Sequence, residues 1–173
     1  MSADDLRARI REIPDFPKPG ILFYDITTLL KDAGAFKEAV DLMTAPFRGE
    51  KVDLVVGMES RGFIFSAPMA IELGAGFVPV RKLGKLPAET VSVEYALEYG
   101  TNTLEIHKDA ITPGQRVLVV DDLLATGGTV VGTIELLTML KAEVVGLAFL
   151  VELAFLKGRD RLSKHKVHSV IEY

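Results

Sequence analysis

Val117-Leu118-Val119-Val120-Asp121-Asp122-Leu123-Leu124-Ala125-Thr126-Gly127-Gly128-Thr129 is the stretch on which the fold turns. Its four leading apolar residues read as a central strand buried on both faces. Asp121 and Asp122 follow at the strand's carboxyl end, which in open α/β sheets is the edge where ligands bind. Leu123 to Gly128 makes the turn, and Thr126, Gly127, Gly128 and Thr129 are small residues where backbone must approach a ligand and a helix begins. The free amides of a helix start are ready donors for a phosphate. A Thr-Gly-Gly-Thr turn by itself can merely join strand to helix. Two adjacent carboxylates before it repel one another, a cost most easily understood if they bind hydroxyls or lie near a cation. Hydroxyls and a phosphate together describe a sugar phosphate.

Outward from this stretch, helix and strand alternate. Ser2 and Asp5 form a capping pattern, and Leu6, Ile10 and Ile13 fall on one helical face until Pro14, which predicts an amphipathic opening helix. Asp15 to Tyr24, with two prolines and a glycine, predicts an irregular loop. Phe36, Val40, Met43 and Phe47 recur at helical spacing, and Val52 to Gly57 reads as a short buried strand. Gly62 to Leu73 predicts a helix, Phe77 to Val80 and Arg116 to Val120 strands, Thr129 to Leu140 a helix, and Val144 to Val151 and Val167 to Ile171 the last strands. Such an order implies an α/β fold, a mainly parallel central sheet covered by helices on both faces. Lys82 to Lys108 is long and polar for a connection, and its β-formers alternate with polar groups, which predicts a two-stranded flexible flap able to close over a reaction.

Composition narrows the function. A chain of 173 residues, 49% hydrophobic and 25% charged, fits one domain spanning residues 1–173. Twenty basic residues against twenty-four acidic ones, a net charge of −4, offer no positive field for nucleic acid. With no cysteine there is neither a disulfide nor a thiolate metal site. The charged beginning lacks a signal peptide's apolar core, and no apolar run approaches the ~20 residues that span a bilayer, so no membrane partner and a cytoplasmic location are expected. His107, His165 and His168 are scattered without metal-binding spacing. No G-x-x-x-x-G-K-[ST] is present, and no G-x-G-x-x-G follows the first strand, which disfavours P-loop kinases and NAD enzymes.

The acidic strand end and small-residue loop, VLVVDDLLATGGT, resemble the signature of type I phosphoribosyltransferases, whose fold is Rossmann-like. The resemblance implies that Asp121 and Asp122 hold the ribose hydroxyls of phosphoribosyl pyrophosphate (PRPP), and that Ala125, Thr126, Gly127, Gly128 and Thr129 hold its 5-phosphate. DFPKPGILFYDIT, ESRGF at Glu59 to Phe63, RKLGKLP at Arg81 to Pro87 and LEYG at Leu97 to Gly100 are similar to adenine phosphoribosyltransferases in particular, in the same order along the chain. That likeness implies purine salvage: transfer of the phosphoribosyl group to N9 of adenine, giving AMP and pyrophosphate, with Mg2+ arriving on PRPP and a homodimer as the working form.

Residue roles follow from the same likeness. Glu59, Ser60 and Arg61 would hold pyrophosphate together with Arg81, Lys82 and Lys85, three cations within five residues. Leu22, Phe23, Tyr24 and Arg61 would form the adenine site, in a hood built from residues 1–30, where Phe23 can stack on a purine. Glu98, with Tyr99 beside it in the flap of residues 82–108, would take the proton that leaves N9. Without the resemblance, Glu94, Glu98 and Glu105 are indistinguishable flap charges, and Arg61 or the Arg81 cluster could be solvated surface. Two departures stand out: Glu59 replaces the family's usual aspartate, and Tyr24 replaces a frequent arginine. The competing functions are a phosphoribosyltransferase for hypoxanthine, guanine or xanthine, and a PRPP-binding regulator without chemistry.

Overall fold

Ser2 accepts the amide hydrogen of Asp5 while Asp5 accepts from the Ser2 backbone, and this reciprocal cap starts helix α1, Ala3–Arg7. In the computed structural model, which describes residues 1–96 and 100–173, α1 is shorter than the spacing of Leu6, Ile10 and Ile13 predicts. Leu6 and Ile10 are buried, but the chain turns between them and Arg11–Ile13 becomes strand β1. Its antiparallel partner β2, Phe23–Asp25, takes the end of the segment predicted to be wholly irregular. Arg11 opposes Asp25 in this pairing, and its Nε donates to Asp25 Oδ2 at 3.0 Å. That contact spans 14 residues, so local periodicity cannot register it.

The remaining elements are α2 (Thr27–Leu30), α3 (Ala33–Thr44), β3 (Leu54–Met58), α4 (Gly62–Leu73), β4 (Gly76–Lys82), β5 (Thr90–Ala96), β6 (Thr101–His107), β7 (Arg116–Leu124), α5 (Gly128–Met139), β8 (Glu143–Glu152) and β9 (Val167–Glu172). A seven-stranded sheet runs in the order β5-β6-β4-β3-β7-β8-β9. The β4–β3, β3–β7, β7–β8 and β8–β9 pairs are parallel, while β6 pairs antiparallel with both β4 and β5. The β5–β6 hairpin is thus an extension of the sheet, tied to it where Arg81 and Lys82 oppose Glu105 and Leu104. Among the described residues no helix is long and apolar enough to cross a membrane.

Alternation along β7 builds both layers. Leu118 and Val120 pack into the core beneath α3 and α4, with Met43, Phe47 and Phe65. Val117 and Val119 point the other way, to Leu136 and Leu137 of α5 and to Phe149. All four β7 residues are fully buried. The strand also runs further than its apolar run suggests. Pairing with β3 stops at Gly57–Val120, whereas pairing with β8 continues to Leu124–Glu152. Asp121 and Asp122 therefore lie inside β7, on the part of its edge that β3 has left.

The β7–β8 register slips between Val117 and Leu118, so that Val144 and Gly146 take successive partners and Val145 is an extra residue. Gly146 then faces Phe47, whose ring occupies the space a Cβ would need. Phe47 is fully buried and cannot swing into solvent. The substitution Gly146→Ala is expected to lower unfolding stability by about 1–3 kcal/mol through overpacking, read as a lower urea midpoint at unchanged m-value.

Candidate active site

Three hollows meet at the carboxyl ends of β3 and β7. The deepest feature is the acidic pair. Asp122 is 5% exposed, and its Oδ2 accepts from Arg61 Nε at 2.9 Å. Asp121 turns its Oδ1 back to the Asp122 amide at 2.9 Å. Burial, and then the neighbouring Asp122 carboxylate, push the Asp121 carboxyl well above the usual carboxylate range. Room for it comes from Gly62, the first residue of α4: a Cβ there would lie 2.8 Å from Asp121 Oδ1 and 3.1 Å from the Val120 carbonyl.

Beyond the pair, Leu123 to Val130 wrap a hollow of about 80 Å³. Gly127 caps α5 with φ of 85°, in the left-handed region where glycine is favoured. A Cβ on it would also come within 3.1 Å of the Gly158 carbonyl. Ala125, Thr126, Gly127, Gly128 and Thr129 all line this hollow, which opens onto the first amides of α5. Those amides are unpaired within the helix and favour a bound anion.

The middle hollow, about 330 Å³, has Asp121, Asp122 and Thr129 on its floor and Glu59, Ser60, Arg61 and Lys82 on its wall. The Glu59–Ser60 peptide is cis. Arg81 and Lys85 do not line this hollow. Arg81 Nη2 donates to Glu59 Oε1 at 3.1 Å, Lys85 Nζ lies 3.9 Å from the same oxygen, and the Lys82 amide donates to Glu59 Oε2 at 2.9 Å. Burial alone would raise the Glu59 carboxyl, but the Lys82 amide and the Arg81 guanidinium outweigh it and hold it below the usual range. Glu59 so acts as the knot joining the turn after β3 to the end of β4. The longer glutamate reaches across where the basic strip begins.

A third, mostly apolar hollow of about 140 Å³ is bounded by Ile21, Leu22, Phe23 and Tyr24 on one side and Val151 and Leu153 on the other. Arg61 and Asp122 close its inner end, and the Arg61 guanidinium stands 5.6 Å from the Phe23 ring centroid. On the outer side Tyr24 stacks against Tyr173 at 4.0 Å.

Glu98 and Tyr99 lie outside the described residues. Strands β5 and β6 pack on α5, where a Cβ at Gly132 would meet Leu104, Val93 and Tyr95 at 3.4 to 3.7 Å. Tyr95 and Asn102 from this hairpin also line the middle hollow, as Val151 and Leu153 line the apolar one. No motif marks these four residues, because only the sheet order brings them to the site.

A hollow at a helix start, an acidic floor and an apolar slot on one edge of an α/β sheet make the layout of a nucleotide-binding class of protein. The phosphoribosyl transferase domain model matches residues 27–172. The chain belongs to the adenine phosphoribosyltransferase family and has the type I phosphoribosyltransferase fold. It is 57% identical to the adenine phosphoribosyltransferase of Acidobacterium capsulatum over all 173 residues and 96% of that protein. Identity to the Chloroflexus aurantiacus enzyme is 56%, with full coverage of both chains. Among solved structures, adenine phosphoribosyltransferase from Thermoanaerobacter pseudethanolicus superposes with a TM-score of 0.96 at 53% identity, covering 99% of this chain and 100% of that one. The Saccharomyces cerevisiae enzyme, solved with adenine and an imino-altritol bisphosphate, gives 0.92 at 41% identity over 97% of each chain.

The raised Asp121 carboxyl has a consequence for stability. Its native pKa exceeds its unfolded one, so the native state binds the extra proton between the two values. Stability falls as pH rises through that window, and the full cost is present above the native pKa. Asp121→Asn removes the cost, so the variant is expected to melt higher than wild type at high pH, with the gap closing as pH falls below the unfolded carboxylate range. Calorimetric Tm values across pH check this.

Proposed function

We infer that the chain transfers the 5-phosphoribosyl group of PRPP to N9 of adenine, releasing AMP and pyrophosphate. The observation that carries this reading is the Asp122–Arg61 pair standing between the anion hollow and the apolar slot. A ribose bound across it has its 5-phosphate at Ala125 to Thr129 and its C1 towards the slot. Asp121 and Asp122 accept from the ribose hydroxyls. The pyrophosphate on C1 then falls among Ser60, Arg61 and Lys82, with Arg81, Lys85 and Glu59 shaping that wall.

Leu22, Phe23 and Tyr24 hold the base. Phe23 offers a ring face, and the segment's backbone supplies the pairing groups for the 6-amino group and N1. In the reaction the N9–C1 bond forms on one face of C1 as the bond to the pyrophosphate oxygen breaks on the other, inverting that carbon. The electron pair leaves with pyrophosphate, and the N9 proton passes to Glu98, with Tyr99 alongside. Oriented ribose hydroxyls and an excluded solvent favour the cationic ribose of the transition state.

The donor set fits an oxygen-seeking cation, since Asp121 and Asp122 offer carboxylate oxygens on the floor where PRPP would lie. Mg2+ carried by PRPP would meet these two residues and neutralise charge on the departing pyrophosphate. The working form is a homodimer in which the strip Arg81 to Lys85, with Leu83 63% exposed, meets the pyrophosphate site of a second copy. The enzyme acts in the cytoplasm, as one domain of residues 1–173 with the hood of residues 1–30 and the flap of residues 82–108.

Incubation with adenine, PRPP and Mg2+ is expected to yield AMP and pyrophosphate, and conversion of guanine or hypoxanthine in place of adenine would overturn the base assignment. Glu98→Gln is expected to lower kcat by roughly 10²-fold or more, the scale of lost general base catalysis, with the Kd for PRPP unchanged in calorimetry.

A further inference from the structure

The anion hollow has a charge problem. Among the described residues its lining, Asp121 with Leu123 to Val130, contains no lysine or arginine and does contain a carboxyl. A phosphate there would be met by backbone amides and the α5 dipole, which act weakly beside a side-chain cation at the same distance. The segment after β8 supplies the missing charge. Residues Gly158–Leu162 form a single 3-10 turn pressed beneath the loop. A Cβ at Gly158 would overlap the Ala125 carbonyl and lie 3.1 Å from the Gly127 amide nitrogen.

This turn is fixed from below. Arg159 Nε donates to the buried carboxylate of Glu152 at 2.9 Å, Ser169 Oγ donates to Glu152 Oε2 at 2.7 Å, and Glu152 is 3% exposed. With Arg159 committed downward, the next basic residue, Arg161, faces the loop. Arg161 Nη1 lies 3.4 Å from the Thr126 carbonyl, and 3.7 Å from the position a Cβ at Gly128 would occupy. On the hairpin side of Gly128, Tyr95 Cδ2 and the Ala96 carbonyl lie 3.8 Å from that same position. The guanidinium therefore stands beside Thr126 and Gly128, two of the residues that line the hollow.

We propose that Arg161 is a phosphate-binding residue of this site, supplying the cation that the Ala125–Thr129 loop lacks and pairing with the 5-phosphate of the nucleotide and of PRPP. Among the described residues the guanidinium is held through one long bond to the neutral Thr126 carbonyl, which leaves donors to turn to an anion. The inference rests on the 5-phosphate lying at this loop. A guanidinium that merely braced the loop would serve equally well with or without a phosphate on the ligand, and this difference separates the two roles.

The test is calorimetric titration of AMP and of adenosine into wild type, Arg161→Gln and Arg161→Lys at two salt concentrations. Arg161→Gln is expected to weaken AMP about tenfold, the scale of one charge-assisted contact, and to leave adenosine unchanged. It is also expected to flatten the salt dependence of AMP binding, while Arg161→Lys recovers part of the affinity. In steady state the KM for PRPP should rise with kcat nearly unchanged. The guanidinium is exposed, so the melting temperature should hold. AMP affinity within twofold of wild type, or equal weakening of AMP and adenosine, would overturn the assignment. Wild type that binds no AMP would instead sink the functional reading on which it stands.

Discussion

The site depends on holding two carboxyl groups side by side in one strand where little water reaches them. At an effective dielectric of about 20 two such charges a few ångströms apart repel by about 4 kcal/mol, a large part of the ~5–15 kcal/mol that keeps a domain folded. The structure meets this in two ways. Arg61 neutralises Asp122 directly, and Asp121 is driven toward its protonated form by burial and by its neighbour. The turn from Glu59 to Gly62 after β3 supplies Arg61 for the first and packs Gly62 against Asp121 for the second, because the pairing of β3 with β7 stops at Val120, just before the pair.

From that constraint the rest of the edge follows. One strand, β7, carries the acidic floor and three residues later leads into the glycine loop, so backbone geometry sets the distance between floor and loop. The turn after β3 is parallel and adjacent to it, which brings Ser60 and Arg61 to the opposite wall. β4, next along, brings Lys82. Parallel strands end on the same side of a sheet, and three neighbouring ends are enough to surround a phosphorylated sugar.

Much of this was legible in residues 117–129. A fully apolar run followed by two acids and a glycine turn gave strand, floor and helix start, because each is dictated by local chemistry. The alternating run of helices and strands was legible for the same reason. What escaped was set by distant partners. β1 hides inside a helical spacing because the Arg11–Asp25 contact decides that segment. The basic strip reads as three equivalent cations, yet Glu59 withdraws Arg81 and Lys85 and leaves Lys82 on the cavity wall. Val151, Leu153, Tyr95 and Asn102 reach the site only through sheet order. Glu98 was singled out by resemblance alone, since nothing in the alternation of the flap separates one glutamate from the next.

The acceptor side is held by a different set of forces, and they explain how a small hood can serve a purine. β1 and β2 make a ribbon too short to be stable alone, so it must be pinned. Asp25 does this at its end: the Thr27 hydroxyl, Arg11 and the Thr27 amide bring its carboxyl down to about 2, leaving it ionised at all but strongly acidic pH. Tyr24 does it along its length by stacking on Tyr173, whose other neighbour is the Arg7 guanidinium at 4.9 Å. At position 24, where the family resemblance leads one to expect an arginine, this chain has an aromatic ring that stacks on Tyr173 just after β9, with Arg7 beyond it. The Tyr24 ring is thus held by the scaffold at the border of the apolar slot, where Phe23 faces Arg61 and Arg61 in turn pairs with Asp122.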